Sequence, residues 1–227
     1  MTGFRHLFVW AGGAMFAGAL AFCGYSYAFT WSRPAGAFNI SAAGVDALLF
    51  SVFALHHSLC ARDSVKRWLS SVVPEPMLRS LYVWVASTLF IAVCLAWQPA
   101  GGDLYRHAGV LALVHGVVQV AGVLIIAQAV RVIDPLELAG IRLHSGAESL
   151  QIVGPYRWVR HPLYSGWLLL TFGAAHMTGD RLIFAGISTF YLLMAMPLEE
   201  RSLRTSFGDA YLEYQRQVRY RLVPYVY

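Results

Sequence analysis

Charge is scarce in this sequence of 227 residues, because Asp, Glu, Lys and Arg together make up only 13% of it. Soluble globular domains carry about 25% charged residues, so an ordinary soluble domain is excluded. Hydrophobic residues reach 58%, and the length suits one domain. We therefore expect an integral membrane protein whose main partner is the lipid bilayer. The net charge of +5 indicates basic cytoplasmic loops rather than binding to nucleic acid.

Several patterns that mark common active sites are also missing. The eight histidines are spread along the chain without the spacing of a metal site. The sequence has no G-x-S-x-G turn of a serine hydrolase and no glycine-rich phosphate loop. Three cysteines lie scattered in or beside apolar stretches, which predicts free buried thiols rather than disulfides: Cys23, Cys60 and Cys94. Metal catalysis and serine hydrolysis are accordingly not expected.

Six apolar stretches are long enough, or nearly so, for a helix that crosses a bilayer, which needs about 20 residues. They cover residues 7–30, 42–61, 79–97, 108–132, 163–178 and 182–198. The last two are short, and Thr178-Gly179-Asp180-Arg181 joins them, which predicts a tight helical hairpin. We therefore predict an all-α, polytopic membrane protein with about six transmembrane helices in one domain over residues 1–227. A cytoplasmic C-terminal amphipathic helix is predicted from apolar residues at helical intervals after residue 199.

The basic residues predict the orientation, since Lys and Arg are enriched in the cytoplasmic loops of membrane proteins. With the N-terminus in the cytoplasm, 14 basic residues fall on the cytoplasmic side and three on the other side. This asymmetry predicts that both termini are cytoplasmic and that the number of crossings is even. The short loops fit a bacterial inner membrane.

Residues 154–166 form the densest polar stretch, with three aromatic rings, two arginines, one histidine, two prolines and two glycines. A second polar patch, Glu199-Glu200-Arg201, ends the hairpin that follows. Because a hairpin returns the chain to the side on which it started, we expect the two patches to meet at the membrane surface and to hold a cofactor. The alternative is that the glutamates form a surface ion pair with Arg201 or Arg204.

Ionisable residues inside apolar spans are costly and are functional candidates by default. His56 and His57 end the second span, either as an interfacial pair or with one ring facing a pocket as a base; Ser58 and Arg62 complete a possible polar cluster. Interhelical hydrogen bonding is the expected role of His115 and Gln119, which are neighbours on one helix face. Asp46 lies nearer the opposite surface, where simple solvation would account for it.

Two motifs at hairpin spacing carry a family resemblance. They are Arg160-His161-Pro162-Leu163-Tyr164-Ser165-Gly166 and Glu199-Glu200-Arg201-Ser202-Leu203, the second followed by Phe207-Gly208-Asp209-Ala210-Tyr211-Leu212-Glu213-Tyr214. The pair resembles the integral-membrane isoprenylcysteine carboxyl methyltransferase and phospholipid methyltransferase superfamily. Residues 53–59, 79–83 and 133–142 are similar to its nurim-like branch, which includes bacterial methanethiol S-methyltransferases and nurim.

The resemblance implies that S-adenosylmethionine is the cofactor and lies in a cytoplasm-facing pocket. It also implies that residues 134–227 hold the cofactor and that residues 1–133 recognise the acceptor. Pro162 and Gly166 are expected to let the backbone approach the ligand closely. The implied cofactor contacts are Leu150, Gln151, Tyr156, His161, Pro162, Leu163, Tyr164 and Glu199.

One departure from the family bears on the acceptor. Isoprenylcysteine enzymes carry an arginine shortly before the glutamate pair, whereas residues 192–198 here have no charge. This favours a small or neutral acceptor, and the resemblance points to a small thiol such as methanethiol. A lipid or isoprenoid acceptor, or a non-enzymatic nurim-like protein, are the alternatives. The catalytic candidates are His57, then His56 and His161 as bases, with Arg79 or Arg142 stabilising an anionic acceptor.

Overall fold

The computed structural model describes residues 3–33, 36–60, 63–142 and 150–227. Helices dominate these ranges, and two short strands pair with each other. The helices are α1 (Gly3–Tyr25, continued by a π-helical turn at Ser26–Thr30), α2 (Ile40–Cys60), α3 (Asp63–Ser70), α4 (Glu75–Ala96), α5 (Gly109–Ile133), α6 (Pro135–Leu138), α7 (Pro162–Phe172), α8 (Gly179–Phe207) and α9 (Asp209–Gln217). The strands are β1 (Asp103–Arg106) and β2 (His176–Thr178), and a 3₁₀ turn covers Gly154–Arg157.

Five helices in the described part of the chain are long and apolar enough to cross a membrane. Their apolar side chains are largely exposed on the protein surface, as expected for helices that face lipid rather than a water-excluded core. The protein is therefore a multi-pass integral membrane protein. The five segments are Gly3–Thr30, Ile40–Cys60, Met77–Ala96, Gly109–Ile133 and Gly179–Phe207.

The predicted fifth span, residues 163–178, differs from a full transmembrane helix. It forms α7, whose 11 residues rise about 16 Å, and then a turn and β2. A hydrocarbon core is about 30 Å thick, so α7 alone is too short to cross it. Gly173 ends the helix, and its backbone N–H still bonds to the Leu169 carbonyl. The predicted sixth span, in contrast, lies within the longer helix α8.

Segment 162–178 nevertheless runs antiparallel to α5 over most of the length of that helix. His115, near the start of α5, donates from Nδ1 to the Gly173 carbonyl over 3.1 Å. Just before α5, the His107 backbone N–H donates to the Ala175 carbonyl over 2.8 Å. Gln119 donates to a carbonyl of α7 over 2.9 Å. The predicted interhelical hydrogen bonds of His115 and Gln119 are thereby confirmed.

Glycine determines how closely α5 and α7 approach. A Cβ added to Gly122 would lie 2.7 Å from the Gly166 carbonyl oxygen, and one added to Gly166 would lie 2.7 Å from the Gly122 oxygen. Contacts this short are not available to real side chains, so the crossing requires both glycines. Small residues are common where helices cross in membranes, because helix association there depends on van der Waals packing rather than on the hydrophobic effect. The missing side chain of Gly166 therefore serves helix packing, and the approach of its backbone to a ligand stays a prediction.

The chain divides into two compact units. The first comprises, as far as they are described, Met1–Gly102, Pro135–Ser145 and Thr178–Ile183; the second comprises Asp103–Asp134, Gly146–Met177 and Phe184–Tyr227. Helix α5 thus groups with the C-terminal residues, to which its packing against α7 ties it.

Buried polar groups hold the first unit together at one end of its helices. Asp180 Oδ1 accepts hydrogen bonds from the Trp97 indole at 3.0 Å and from the Ala100 backbone N–H at 2.9 Å. Asp46 is fully buried and accepts from the Gln98 backbone N–H at 2.8 Å. The interpretation of Asp46 as a solvated surface carboxylate is therefore wrong, because α2 packs it against the chain after α4.

The C-terminal part of the second unit is a helix broken at one residue. Gly208 has a φ of +52°, a conformation that favours glycine, and separates α8 from α9. Behind the break, Tyr211, Tyr214 and Val218 form a buried cluster. Leu150 and three other partly buried apolar residues pack against that cluster: Ile152, Leu203 and Phe207.

The glycine crossing gives a direct test of this packing. Gly122→Ala should lower the free energy of unfolding by about 1–3 kcal/mol, because the new methyl group meets backbone atoms that cannot move aside. Gly116→Ala on the same helix is the matched control, since a Cβ there has no neighbour within 4 Å. It should be neutral or slightly stabilising through helix propensity. Thermal unfolding of the detergent-purified proteins measures both; equal melting temperatures for the two variants would contradict the close crossing.

Candidate functional site

The 154–166 stretch is fixed against the C-terminal segment by backbone pairing. The Arg160 and His161 backbone N–H groups donate to the Tyr220 and Arg221 carbonyls, each over 2.9 Å. Pro162 disfavours helical geometry in the residue before it, and His161 is accordingly non-helical, with φ −123° and ψ 62°. Its N–H is therefore available for this pairing. Helix α7 begins immediately afterwards, so the motif joins an extended strand-like contact to a helix.

Glu200 is the buried centre of the site. Its side chain is 3% exposed, yet it is surrounded by cationic groups. Arg160 Nε donates to Oε1 over 2.8 Å, Arg221 donates to Oε2 over 3.1 Å, and His161 Nε2 lies 3.3 Å from Oε1. Gln215 completes the set at 3.4 Å. A buried carboxylate is stable only when it is paired and hydrogen-bonded in this way. We call these five residues the Glu200 cluster.

Arg160 extends the cluster into the backbone of the C-terminal segment. Its NH1 donates to the Val218 carbonyl over 2.8 Å and to the Arg219 carbonyl over 2.7 Å. The same guanidinium therefore joins the carboxylate of α8 to the chain after α9, with a side chain only 7% exposed. Such a planar group with several donors suits this role better than an ammonium would.

Glu199 has a different environment from its neighbour. Adjacent helical residues point about 100° apart, so burial of Glu200 directs Glu199 elsewhere. Its side chain is 47% exposed, and Oε2 accepts from the Tyr164 hydroxyl over 2.8 Å. His161 Nδ1 lies 3.6 Å from the same oxygen. Glu199 thus offers a fixed carboxylate with accessible acceptor sites, as a cationic or hydroxyl-bearing ligand requires.

His161 stands between the two carboxylates. Burial disfavours its charged form, but hydrogen bonds to Glu199 and Glu200 outweigh burial and raise the pKa of His161 above its ordinary value. Both ring nitrogens face carboxylate oxygens, and the ring stacks on Tyr164 at a centroid distance of 5.3 Å. An imidazole held in this way orients Glu199. It is poorly suited to be the catalytic base, for which it was the third candidate after His57 and His56.

The remaining predicted cofactor residues lie in the same unit, but they differ in solvent exposure. Pro162 is fully buried, whereas Leu163 is partly exposed. Burial, and then the charge of Glu199, raise the pKa of Tyr156. The Tyr156 carbonyl accepts from the Tyr214 hydroxyl over 2.8 Å, which ties the motif to α9. Leu150 belongs to the α9 cluster, and Gln151 beside it is exposed; neither lies in a strand.

Sequence reasoning missed the structural role of Glu200, Arg160 and Arg221. The partners of the glutamates were expected to be Arg201 or Arg204, which are close in sequence. The cation that holds Glu200 most closely instead lies 40 residues upstream, and Arg204 donates to Gln215. The available signal was the presence of four arginines in the motif and the tail: Arg157, Arg160, Arg219 and Arg221.

The two histidine candidates of the first unit both contact one tyrosine. The Tyr82 hydroxyl is hydrogen-bonded to His57 Nδ1, and the His56 ring stacks on Tyr82 at 5.8 Å. His56 Nδ1 also lies 3.6 Å from Cys60 Sγ, while its buried Nε2 has no partner among the described residues. Both histidines thus contact Tyr82. Arg62, which was predicted to join His57 and Ser58 in a polar cluster, lies outside the described residues.

Arg79 has a structural partner. Its Nε donates to the Glu137 carbonyl over 2.7 Å, and NH1 lies 3.3 Å from the Glu137 carboxylate. Next to it, Ser80 donates to the Gly140 carbonyl over 2.8 Å. Arg79 therefore anchors α6 and the residues after it to α4. The 38% exposure of its side chain still leaves part of the guanidinium accessible to an anion. Among the described residues, no group of three or more His, Cys, Asp or Glu could hold a metal ion.

Loss of charge at Glu200 should destabilise the second unit. Glu200→Gln leaves the buried Arg160 without a countercharge and removes the carboxylate that Arg221 binds, so we expect a loss of about 3–5 kcal/mol in the free energy of unfolding. Glu213→Gln is the control, because Glu213 pairs with Arg216 at 2.8 Å on an exposed surface, where such pairs contribute about 0–1 kcal/mol. Thermal melting in detergent reports the difference. Similar losses in both variants would show that the cluster is not structural.

The chain is similar to several bacterial enzymes over most of its length. It is 32% identical to a methanethiol S-methyltransferase of Crocosphaera subtropica, with 82% of this chain and 76% of that protein covered. It is 34% identical to methanethiol S-methyltransferase 2 of Bradyrhizobium diazoefficiens, with 77% and 70% covered. Nurim of Xenopus laevis is 27% identical, with 77% and 68% covered. No family model matches the chain, and no solved structure matches it.

Proposed function

Because the chain belongs to the nurim-like branch of membrane methyltransferases, together with the methanethiol S-methyltransferases, we propose that it methylates a small thiol with S-adenosylmethionine as methyl donor. The proposed acceptor is methanethiol, and the product is dimethyl sulfide. The observation that carries the proposal is the contrast between the buried Glu200 and the half-exposed Glu199. Glu200 holds the site together, and Glu199 remains available to bind the ligand.

The residues around Glu199 fit this methyl donor. S-adenosylmethionine carries an ammonium group and ribose hydroxyls, and a carboxylate is the natural partner of either. Tyr164 and His161 fix the orientation of the carboxylate before any ligand arrives. Tyr156 and Leu163 supply further contact surface, and Leu150 and Gln151 supply backbone groups. His161 and Pro162 are buried, so we assign them to positioning.

Bound S-adenosylmethionine would supply a methyl group already activated on a sulfonium centre, so the protein's task is alignment and water exclusion. The acceptor thiol must lose its proton, since the thiolate is the nucleophile. We propose that His57 or His56 accepts this proton. Tyr82 contacts both rings, and Nε2 of His56, which has no partner among the described residues, is suited to a ligand contact. Arg79 would stabilise the acceptor anion through its exposed part.

We propose that both termini lie on the cytoplasmic side. Five full helical spans would place the termini on opposite sides of a membrane. Segment 162–178 runs antiparallel to α5 and its last residues pair with β1, just before α5 begins. It would thus serve as the sixth crossing, with a helix for its first part only. The basic residues and the Glu200 cluster would then face the cytoplasm, where the methyl donor is made.

Binding of the methyl donor tests the role of Glu199. Glu199→Gln should weaken S-adenosylmethionine binding by about tenfold or more, because a hydrogen bond to a charged group contributes about 1.5–3 kcal/mol. Glu213→Gln, on the exposed face of α9, should leave binding unchanged. Isothermal titration of the detergent-purified proteins measures both dissociation constants. A well-folded wild-type protein that does not bind S-adenosylmethionine would overturn the enzyme proposal and favour a non-enzymatic role.

The acceptor is tested by product formation. Purified protein in liposomes, supplied with S-adenosylmethionine and methanethiol, should release dimethyl sulfide, measured in the headspace by gas chromatography. An isoprenylcysteine carboxylate should not be methylated, because residues 192–198 offer no cation to pair with it. Phosphatidylethanolamine serves as a lipid acceptor in a parallel reaction. Methylation of either compound in place of methanethiol would contradict the proposed acceptor while leaving the donor site intact.

A further inference from the structure

The second unit contains a cleft that has not been given a role above. Its volume is about 420 Å³, and the motif and the tail after α9 form its walls. Its lining includes Arg157, Trp158, Gln217, Arg219, Tyr220 and Tyr225. Neither Glu199 nor Tyr164 lines the cleft, so it is separate from the proposed donor site.

The charge of the cleft is entirely positive. Its lining contains two arginines and no Asp or Glu. The guanidinium groups of Arg157 and Arg219 are exposed, and among the described residues neither has a hydrogen-bond or ion-pair partner. Three other arginines of the same unit, Arg160, Arg204 and Arg216, instead bond to side chains. Two unpaired guanidiniums at one concave surface attract an anion, and their planar donor sets suit a phosphate.

Aromatic residues border the same cleft and are unusually exposed. Trp158 is 69% exposed and Tyr225 is 87% exposed, and the next residue, Val226, is 78% exposed. The rings of Tyr220 and Tyr225 lie 5.3 Å apart. Trp and Tyr are enriched where membrane proteins meet the headgroup region, because one end of each side chain is apolar and the other polar. At the membrane interface, lipid would cover these side chains, whereas water alone would leave their apolar parts exposed.

We propose that this cleft binds the phosphate headgroup of an anionic phospholipid. Arg157 and Arg219 would contact the phosphate, Gln217 would contact a glycerol hydroxyl, and Trp158 and Tyr225 would lie beside the upper acyl chain. The lipid is a bound ligand and is not methylated. Since one wall of the cleft is the chain between Tyr156 and Arg160, a lipid bound there would hold the motif and the tail together at the membrane surface.

Native mass spectrometry of the detergent-purified protein tests this proposal. Phosphatidylglycerol and phosphatidylcholine with the same acyl chains are added in turn. We expect one phosphatidylglycerol per chain to be retained in preference to phosphatidylcholine. The variant Arg157→Gln/Arg219→Gln should bind it about thirtyfold more weakly, given two lost basic contacts near an anionic headgroup. Arg201→Gln, an exposed arginine of α8 outside the cleft, is the matched control and should bind like the wild type.

Three results would overturn the proposal. The first is equal retention of both lipids, and the second is equal loss of phosphatidylglycerol in the Arg201→Gln control. The third is displacement of phosphatidylglycerol by inorganic phosphate or S-adenosylmethionine at equal concentration, which would assign the cleft to a soluble anion or to the methyl donor. The variant Arg157→Lys/Arg219→Lys keeps the charge and should recover part of the binding. Unchanged melting temperatures exclude misfolding as the cause.

Discussion

The buried carboxylate of Glu200 is the interaction on which the site depends. It lies on α8 and is held by Arg160 before α7, by Arg221 in the tail, and by Gln215 on α9. A carboxylate this deeply buried would destabilise the fold if any of its cations were missing. The pairing therefore brings together segments that the sequence separates by up to about 60 residues. It also determines the environment of its neighbour, because a helix cannot bury both members of an adjacent pair on one face.

We propose that the two glutamates divide between them the tasks of structure and ligand binding. Glu200 is satisfied by the protein alone, and Glu199 keeps acceptor capacity for a ligand. His161 connects them, since its two ring nitrogens face the two carboxylates, and hydrogen bonds to both raise the pKa of His161 above its ordinary value. The α5–α7 crossing supports this arrangement from within the membrane, because Gly122 and Gly166 fix the helix that follows His161. A preorganised carboxylate loses little freedom when it binds a ligand, which suits an enzyme whose main contribution is alignment.

Much of the architecture could be predicted from the sequence, because apolar length alone identifies the long spans. The hydrogen bonds of His115 and Gln119 were also predictable, since polar groups inside a span must find partners. The early end of the helix in segment 163–178 could not be predicted. The composition of this segment is as apolar as that of a full helix, and the break at Gly173 depends on packing against α5. The burial of Asp46 could not be predicted either, because its hydrogen-bond partner is the backbone N–H of Gln98, which follows α4.

At the site, the motifs indicated which segments would meet, but not which side chains would be buried. Adjacent glutamates look alike in a sequence, and only the position of distant arginines distinguishes them. The packing role of Gly166 could not be predicted either, because a glycine that admits a ligand and one that admits a neighbouring helix look the same in a sequence.

The central claim is that Glu199, and not Glu200, contacts the methyl donor. A cryo-electron microscopy structure of the protein with S-adenosylhomocysteine, the stable product of methyl transfer, tests it most directly. The account predicts a Glu199 carboxylate oxygen within hydrogen-bonding distance of the ligand and the Glu200 cluster unchanged. A ligand bound away from Glu199, or one that displaces Arg160 from Glu200, would contradict it.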